Sequence, residues 1–321
     1  MAKKILITGG AGFIGSHLAE KLLQAGEEVF VIDDLSTGSL KNIAHLKNNK
    51  NFHFTKGTIL SRAKLNKLAG KVDQIYHLAA AVGVKTVIEK PLESFLLNTR
   101  GTEIILDAAL KYKIPVLITS TSEIYGKNDK LPFNEDSDRI YGSACHSRWG
   151  YAMSKGADEF LALGYHREKG LKAVIVRLFN VVGPRQTGAY GMVVPRFVQQ
   201  ALAGKPITVY GDGNQTRCFG YVDDIVNTLV KLINSPKANG HIFNLGSDEE
   251  ISIKELARKV NKMAGDKSKI VFMPYEKIYG QDFDDMAHRR PDLSKIRKFI
   301  GYRPKVSLEE SLKKIIAYFR A

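Results

Sequence analysis

Residues 7–18 read ITGGAGFIGSHL and set Gly9, Gly12 and Gly15 in a G-x-x-G-x-x-G array. The apolar run KKILIT (3–8) precedes the array with strand character, and the amphipathic IGSHLAEKLLQAG (14–26) runs on from it as a helix. Glycine lets a chain turn tightly and bring its backbone against a pyrophosphate, while the first turn of a helix offers amide donors and the positive end of a dipole. Phe13 and Ile14, inside the array, are expected beside the same ligand. In VFVIDDL (29–35), Asp33 ends the next apolar run, 18 residues past Gly15. That is close to the spacing at which an acidic residue accepts from the ribose hydroxyls of a bound adenosine. A carboxylate there repels a 2′-phosphate, so the expected cofactor is NAD rather than NADP.

Outward from this stretch, short apolar runs alternate with amphipathic ones: QIYHLAA (74–80), ESFLLNTRGTEIILDAALKY (93–112), PVLITS (115–120). That rhythm signals βαβ units and a parallel sheet. A helix is predicted to begin near Tyr151 and to lead into the strand KAVIVRLFN (172–180). After Asn180 the pattern loosens into glycine- and proline-containing loops around helical stretches. The expected fold is α/β: a Rossmann-type doubly wound parallel sheet with a smaller C-terminal substrate-binding domain. Residues 1–180 form the cofactor domain in this reading and 181–321 mainly the substrate region, with HIFNLGS in a returning segment near 221–246.

The 321 residues, 44% hydrophobic and 25% charged, have the composition of a globular protein without disordered tracts. The net charge of +15 favours anionic partners. Its lysines are scattered, as in KLNKLAGK (64–71), with no basic tail or aromatic-interleaved strip, so nucleic acid is not expected. Cys145 and Cys218 lie far apart without metal-ligand spacing, which suggests neither a disulfide framework nor a metal site. The start, MAKKILITGG, has no long apolar segment, and no later run approaches a membrane span. A cytoplasmic location is expected.

GYAMSKGADEF (150–160) places Tyr151 and Lys155 four residues apart, on one face of a helix. Tyrosine is a poor base at its ordinary pKa of about 10, and a neighbouring ammonium together with a nicotinamide cation is expected to lower that value. Upstream, STSEIYG (120–126) brings a row of three hydroxyls, Ser120, Thr121 and Ser122, and the Glu123 carboxylate to the end of a buried strand. With TGGAGFIG (8–15), HLAA (77–80), NTRGT (98–102), RLFNVVGPR (177–185), GDGNQTRCFGYVDD (211–224) and HRRPDLSKI (288–296), the set resembles the extended short-chain dehydrogenase/reductase family of nucleotide-sugar epimerases, dehydratases and decarboxylases. The resemblance covers nearly the whole chain.

It implies hydride transfer from sugar C4 to NAD, with Tyr151 as base, Thr121 bonded to the sugar O4, and Lys155 holding both the tyrosine and the nicotinamide ribose. Leu78, Ala79, Ala80 and Asn98 are implied on the cofactor side. Asn180, Arg185, Val194, Arg217 and Arg289 are implied on the side of the nucleotide sugar, with the loop TGAYGMVVPRF (187–197) over its base. A homodimer packed through helices around 93–111 and 151–169 is also implied. The chain departs from the family in KGTIL (56–60), where Thr58 and Ile59 stand near the adenine in place of the frequent aspartate, so the Ile59 amide is the expected contact. Gly150 stands before the tyrosine, where proline or serine is frequent.

Oxidation at C4 is common to three outcomes, and Glu123 discriminates among them. A 4-epimerase needs only room for the keto sugar to turn over. A 4,6-dehydratase needs a base at C5 and an acid at C6. A decarboxylase acts on a uronic acid, whose 4-ketone is a β-keto acid. Thr121-Ser122-Glu123 resembles UDP-glucuronate decarboxylases and GDP-mannose-type dehydratases, with Ser122 placed to position water or the sugar ring. Decarboxylation of UDP-glucuronate is therefore the leading expectation, ahead of 4-epimerisation and then dehydration. A regulator that binds NAD without turnover would lack the tyrosine, lysine or threonine, and all three are present.

Overall fold

The apolar runs become strands because both of their faces are covered by helices, as seen in a computed structural model describing residues 2–189, 191–279 and 285–321. The first half runs β1 (Lys4–Thr8), α1 (Phe13–Gln24), β2 (Glu28–Asp33), β3 (Phe52–Lys56), α2 (Arg62–Ala69), β4 (Gln74–His77), α3 (Val84–Glu89), α4 (Pro91–Lys111), β5 (Val116–Thr121), α5 (Ser147–Lys169) and β6 (Ala173–Leu178). The second half runs β7 (Val181–Val182), α6 (Val193–Leu202), β8 (Ile207–Tyr210), β9 (Thr216–Cys218), β10 (Gly220–Tyr221), α7 (Val222–Ile233), β11 (Ile242–Leu245), β12 (Glu250–Ser252), α8 (Ile253–Ala264), β13 (Ile270–Met273), α9 (Glu276–Tyr279), α10 (Ser294–Ile300) and α11 (Leu308–Arg320).

Seven strands form one parallel sheet in the order β11-β6-β5-β4-β1-β2-β3, which makes this a Rossmann-type α/β fold. Side chains alternate across it with period two. Ile5 and Ile7 face a core completed by Leu18 and Leu22 of α1 and Leu229 and Leu232 of α7. Leu6 faces the opposite core, with Leu65 of α2, Ile105 of α4 and Ala162 of α5. Each such side chain contributes about 1.5–3 kcal/mol on burial, so a polar residue at either register would open one layer. The strand order reverses between β1 and β4, and a crevice opens there at the carboxyl ends of the strands.

The chain returns to this sheet late. β11 pairs with β6 from Ile242↔Ile175 to Leu245↔Leu178, and α7 and Ile296 of α10 pack into the first core. A separate core joins Phe197 and Val198 of α6, Ile207 and Val209 of β8, Leu256 of α8 and Leu312 of α11. α5 starts at Ser147 rather than near Tyr151. Burial of Trp149 against Ala152, Phe179 and Tyr141 draws the preceding turn into the helix despite Gly150. Of the loop expected over the nucleotide base, Tyr190 lies outside the described residues.

Candidate active site

A cavity of about 690 Å³ runs along the carboxyl ends of the strands and between the two halves. Its cofactor end is shaped by absent side chains. A Cβ on Gly15 would lie 2.3 Å from the Gly9 carbonyl oxygen, and one on Gly9 would lie 2.8 Å from the Ala79 nitrogen, where the backbone is left-handed at φ +72°. α1 begins at Gly12 with no side-chain cap, leaving its first amides for a ligand. Asp33 is fixed in the wall by the Ala11 amide (2.9 Å) and the Leu35 amide (2.8 Å), and burial raises its carboxyl against those donors. Ser120 Oγ is buried in the same cavity and makes no hydrogen bond within the described residues. This cradle of backbone, carboxylate and orphaned hydroxyl fits a dinucleotide.

Leu78, Ala79, Ala80 and Ile59 line this end together with Phe13 and Ile14. Two expected cofactor contacts do not. Thr58, between Gly57 and Ile59, is not part of the cavity lining, and its Oγ1 accepts from the Leu60 amide at 3.3 Å. Asn98 is fully buried and acts as a strut: its Oδ1 accepts from the Ala81 amide (2.8 Å) and its Nδ2 donates to Ser154 Oγ (3.0 Å). It ties the segment after β4 to α5 between Tyr151 and Lys155.

Arg148, Tyr151, Lys155 and Asp158 follow each other at spacings of three, four and three, so α5 presents them on one face. The Tyr151 phenol is hydrogen-bonded to Thr121, which ends β5 and also caps the turn Ser122–Tyr125 through the Glu123 amide (3.2 Å). Lys155 Nζ donates to Asp158 Oδ2 at 2.7 Å, both side chains being buried. Burial pushes the phenol well above its ordinary value, the Glu123 and Asp158 carboxylates add to the rise, and the Thr121 bond and Arg289 oppose it. Lys155 carries its own counter-ion, which offsets the help its charge was expected to give.

At the far end, Glu123 lies 3.3 Å from Arg289 and 3.8 Å from Arg148. Burial alone would raise its carboxyl, but Arg148 and then Arg289 outweigh that and hold it below the ordinary carboxylate range. Asp285 meets Arg148 at 2.9 Å, both of its oxygens accept from Arg217 at 3.1 Å, and it takes the Tyr275 hydroxyl at 3.0 Å. Arg217, on β9, is drawn down to about 10 by burial and then by repulsion from Arg289. Asn180 lines the cavity beside these residues with its Nδ2 on the Cys218 carbonyl (3.2 Å), and Val194 of α6 and Ser122 complete this part of the wall. Arg185 is placed elsewhere, against Ser16 and Glu20 of α1, away from the substrate end to which the sequence assigned it.

Sequence reading missed Arg148 and Asp285. Arg148 was legible one turn before Tyr151 on the same helical face; Asp285 had no local signal, because only the fold brings it to α5 and β9. Among the described residues no group of side chains is arranged to hold a metal ion, and no helix is long and apolar enough to cross a membrane.

A parallel Rossmann sheet with a glycine cradle, an aspartate at the end of β2 lining the cavity beside it, and a Thr-Tyr-Lys set defines an NAD-dependent enzyme of the extended short-chain dehydrogenase/reductase class. The chain belongs to the family whose model is described as GDP-mannose 4,6 dehydratase, which matches residues 6–315. It is 44% identical to the UDP-N-acetyl-alpha-D-glucosaminuronate decarboxylase of Bacillus cytotoxicus over 321 residues, spanning 100% of this chain and 98% of that one. It is 39% identical to UDP-glucuronic acid decarboxylase 1 of Danio rerio, over 99% of this chain and 72% of that one. Among solved structures, the UDP-glucuronic acid 4-epimerase of Bacillus cereus, in complex with UDP-glucuronic acid and NAD, superposes with a TM-score of 0.88 at 33% identity and covers 99% of both chains. The protein is thus an NAD-dependent enzyme of the nucleotide-sugar epimerase, dehydratase and decarboxylase group.

Proposed function

We propose that the protein decarboxylates a UDP-linked uronic acid after transient oxidation at sugar C4. The observation that carries this reading is Glu123, held ionised by Arg148 and Arg289 in the wall that also holds Thr121 and Tyr151. A simple 4-epimerase has no use for a carboxylate there. The two curated relatives described above, named as decarboxylases, support the same reading.

Bound in the glycine cradle with Asp33, NAD supplies the hydride acceptor and later the donor. Tyr151 takes the proton of the C4 hydroxyl while Thr121 holds that oxygen, and Lys155 with Asp158 keeps the charge around the phenol fixed. The resulting ketone lies β to the uronate carboxylate. As the C5–carboxylate bond breaks, its electron pair passes into the ketone and carbon dioxide leaves. Arg289 orients the uronate, and the Glu123 carboxylate in the same wall favours loss of that second negative charge as carbon dioxide. C5 then takes a proton from solvent, C4 takes back the hydride it gave up, and Tyr151 returns its proton to O4. Arg217 and Asn180 bind the diphosphate, and Val194 packs beside the nucleotide.

The test is incubation with NAD+ and either UDP-glucuronate or UDP-N-acetylglucosaminuronate, followed by NMR. A UDP-pentose, or its 2-acetamido counterpart, with carbon dioxide is the expected product, and Tyr151→Phe gives none. A C4-epimerised uronate with its carboxylate retained would replace this reading with 4-epimerisation, which the likeness to the Bacillus cereus 4-epimerase favours as the second reading. We also propose a homodimer through α4 and α5, where Leu92, Met153 and Phe160 are exposed, and a reducing cytosolic setting for the two free cysteines.

A further inference from the structure

Arg185 sits over the first turn of α1. Its Nη1 lies 3.5 Å from Ser16 Oγ, and its Nη2 donates to the Glu20 carboxylate and lies 3.4 Å from His45 Nε2. Ser16 is the fourth residue of α1, so the guanidinium lies against the turn whose uncapped amides and glycines form the cradle, and it lines the cavity there with Gly12 and Phe13. The loop that delivers it comes from the other half of the molecule and is fixed in place. A His17 ring nitrogen lies 3.0 Å from the Pro184 carbonyl oxygen, and a Cβ on Gly183 would meet Phe13 and Val222. Arg185 itself holds a left-handed backbone at φ +67°, a conformation that residues with side chains adopt only when their surroundings impose it.

The other cations lining the cavity, among the described residues, are engaged away from this turn. Lys155 is held by Asp158; Arg148, Arg217 and Arg289 converge on Glu123 and Asp285; and Arg196 lies over the Tyr210 ring at 3.7 Å. Arginine presents five donors in a planar fork, more than Glu20 engages, and matches phosphate oxygens in geometry.

We infer that Arg185 is a ligand of the NAD diphosphate, contributed across the crevice from the loop after β7. One guanidinium then joins the two halves through the cofactor, and α1 contributes its amides from the opposite side.

The test is equilibrium dialysis of the full-length protein with NAD+, and with ADP and adenosine as competitors. A lost charge-assisted contact predicts that Arg185→Ala weakens NAD+ and ADP by about tenfold or more and leaves adenosine unchanged. Glu20→Gln frees the fork and keeps NAD+ and ADP affinity within about threefold of the parent. If Arg185 only pins its loop to α1, the two variants behave alike. Equal losses in both variants, equal losses for ADP and adenosine, or unchanged NAD+ affinity in Arg185→Ala would each overturn the inference.

Discussion

Glu123 shows how a single residue takes its character from distant neighbours. Its position after a row of hydroxyls was readable in STSEIYG, but its ionisation was not, because the guanidiniums that set it come from Arg148 and from Arg289, far along the chain. Its folded pKa lies below the ordinary carboxylate value of 4.5, so its ion pairs stabilise the fold above about that pH and are lost as pH falls through the lower folded value. Thermal melting from pH 7 to pH 3 should therefore show Glu123→Gln well below the parent at neutral pH, with the gap narrowing in acid. A gap that stays constant would mean that Glu123 is not charged in the fold. Asp158 works in the other direction, since its carboxylate helps to hold Tyr151 protonated. Removing that charge in Asp158→Asn should move the acidic limb of the kcat/KM profile to lower pH; a limb that stays in place would detach Asp158 from Tyr151.

At the scale of elements, α5 and the end of β5 hold Tyr151, Lys155 and Thr121, and what was legible follows from how local each signal is. The strands announced themselves through contiguous apolar runs, and the cradle through three glycines before a helix. The true start of α5 stayed hidden, because Gly150 reads as a break and only the burial of Trp149 shows why the helix takes in the turn before it. The two-residue strands β7 and β10 pair with each other across a long insertion, which no local pattern records. Asn98 looked like a cofactor contact and proves to be the strut between α4, the segment after β4 and α5. Leaving the Ala81 amide and the Ser154 hydroxyl without it costs about 1–3 kcal/mol. Asn98→Ala should lower stability in urea by that amount and reduce kcat, because Tyr151 and Lys155 flank Ser154. An unchanged midpoint would remove the strut.

Across the whole molecule, the composition and the alternation of apolar runs were enough to give the sheet, its helical layers and the crevice. The meeting of Glu123, Arg148, Arg217, Asp285 and Arg289 required the fold itself. Met153 and Phe160, seven residues apart on α5, expose apolar surface on one helical face, and Phe160 is 76% exposed. Phe160→Glu should convert a dimer in light scattering to a monomer that retains its melting temperature; a parent that is already monomeric would refute the proposed interface. The late return of β11 to the sheet also bears on synthesis. A nascent chain emerging from the ribosome completes β6 with its outer edge bare, and it stays so until the chain has passed through the entire insertion and delivered residues 242–245. An open parallel strand edge of this kind invites pairing with other chains. The cell must therefore shield a half-built sheet for the time it takes to translate that insertion, and a chain stopped at residue 180 should collect in the insoluble fraction.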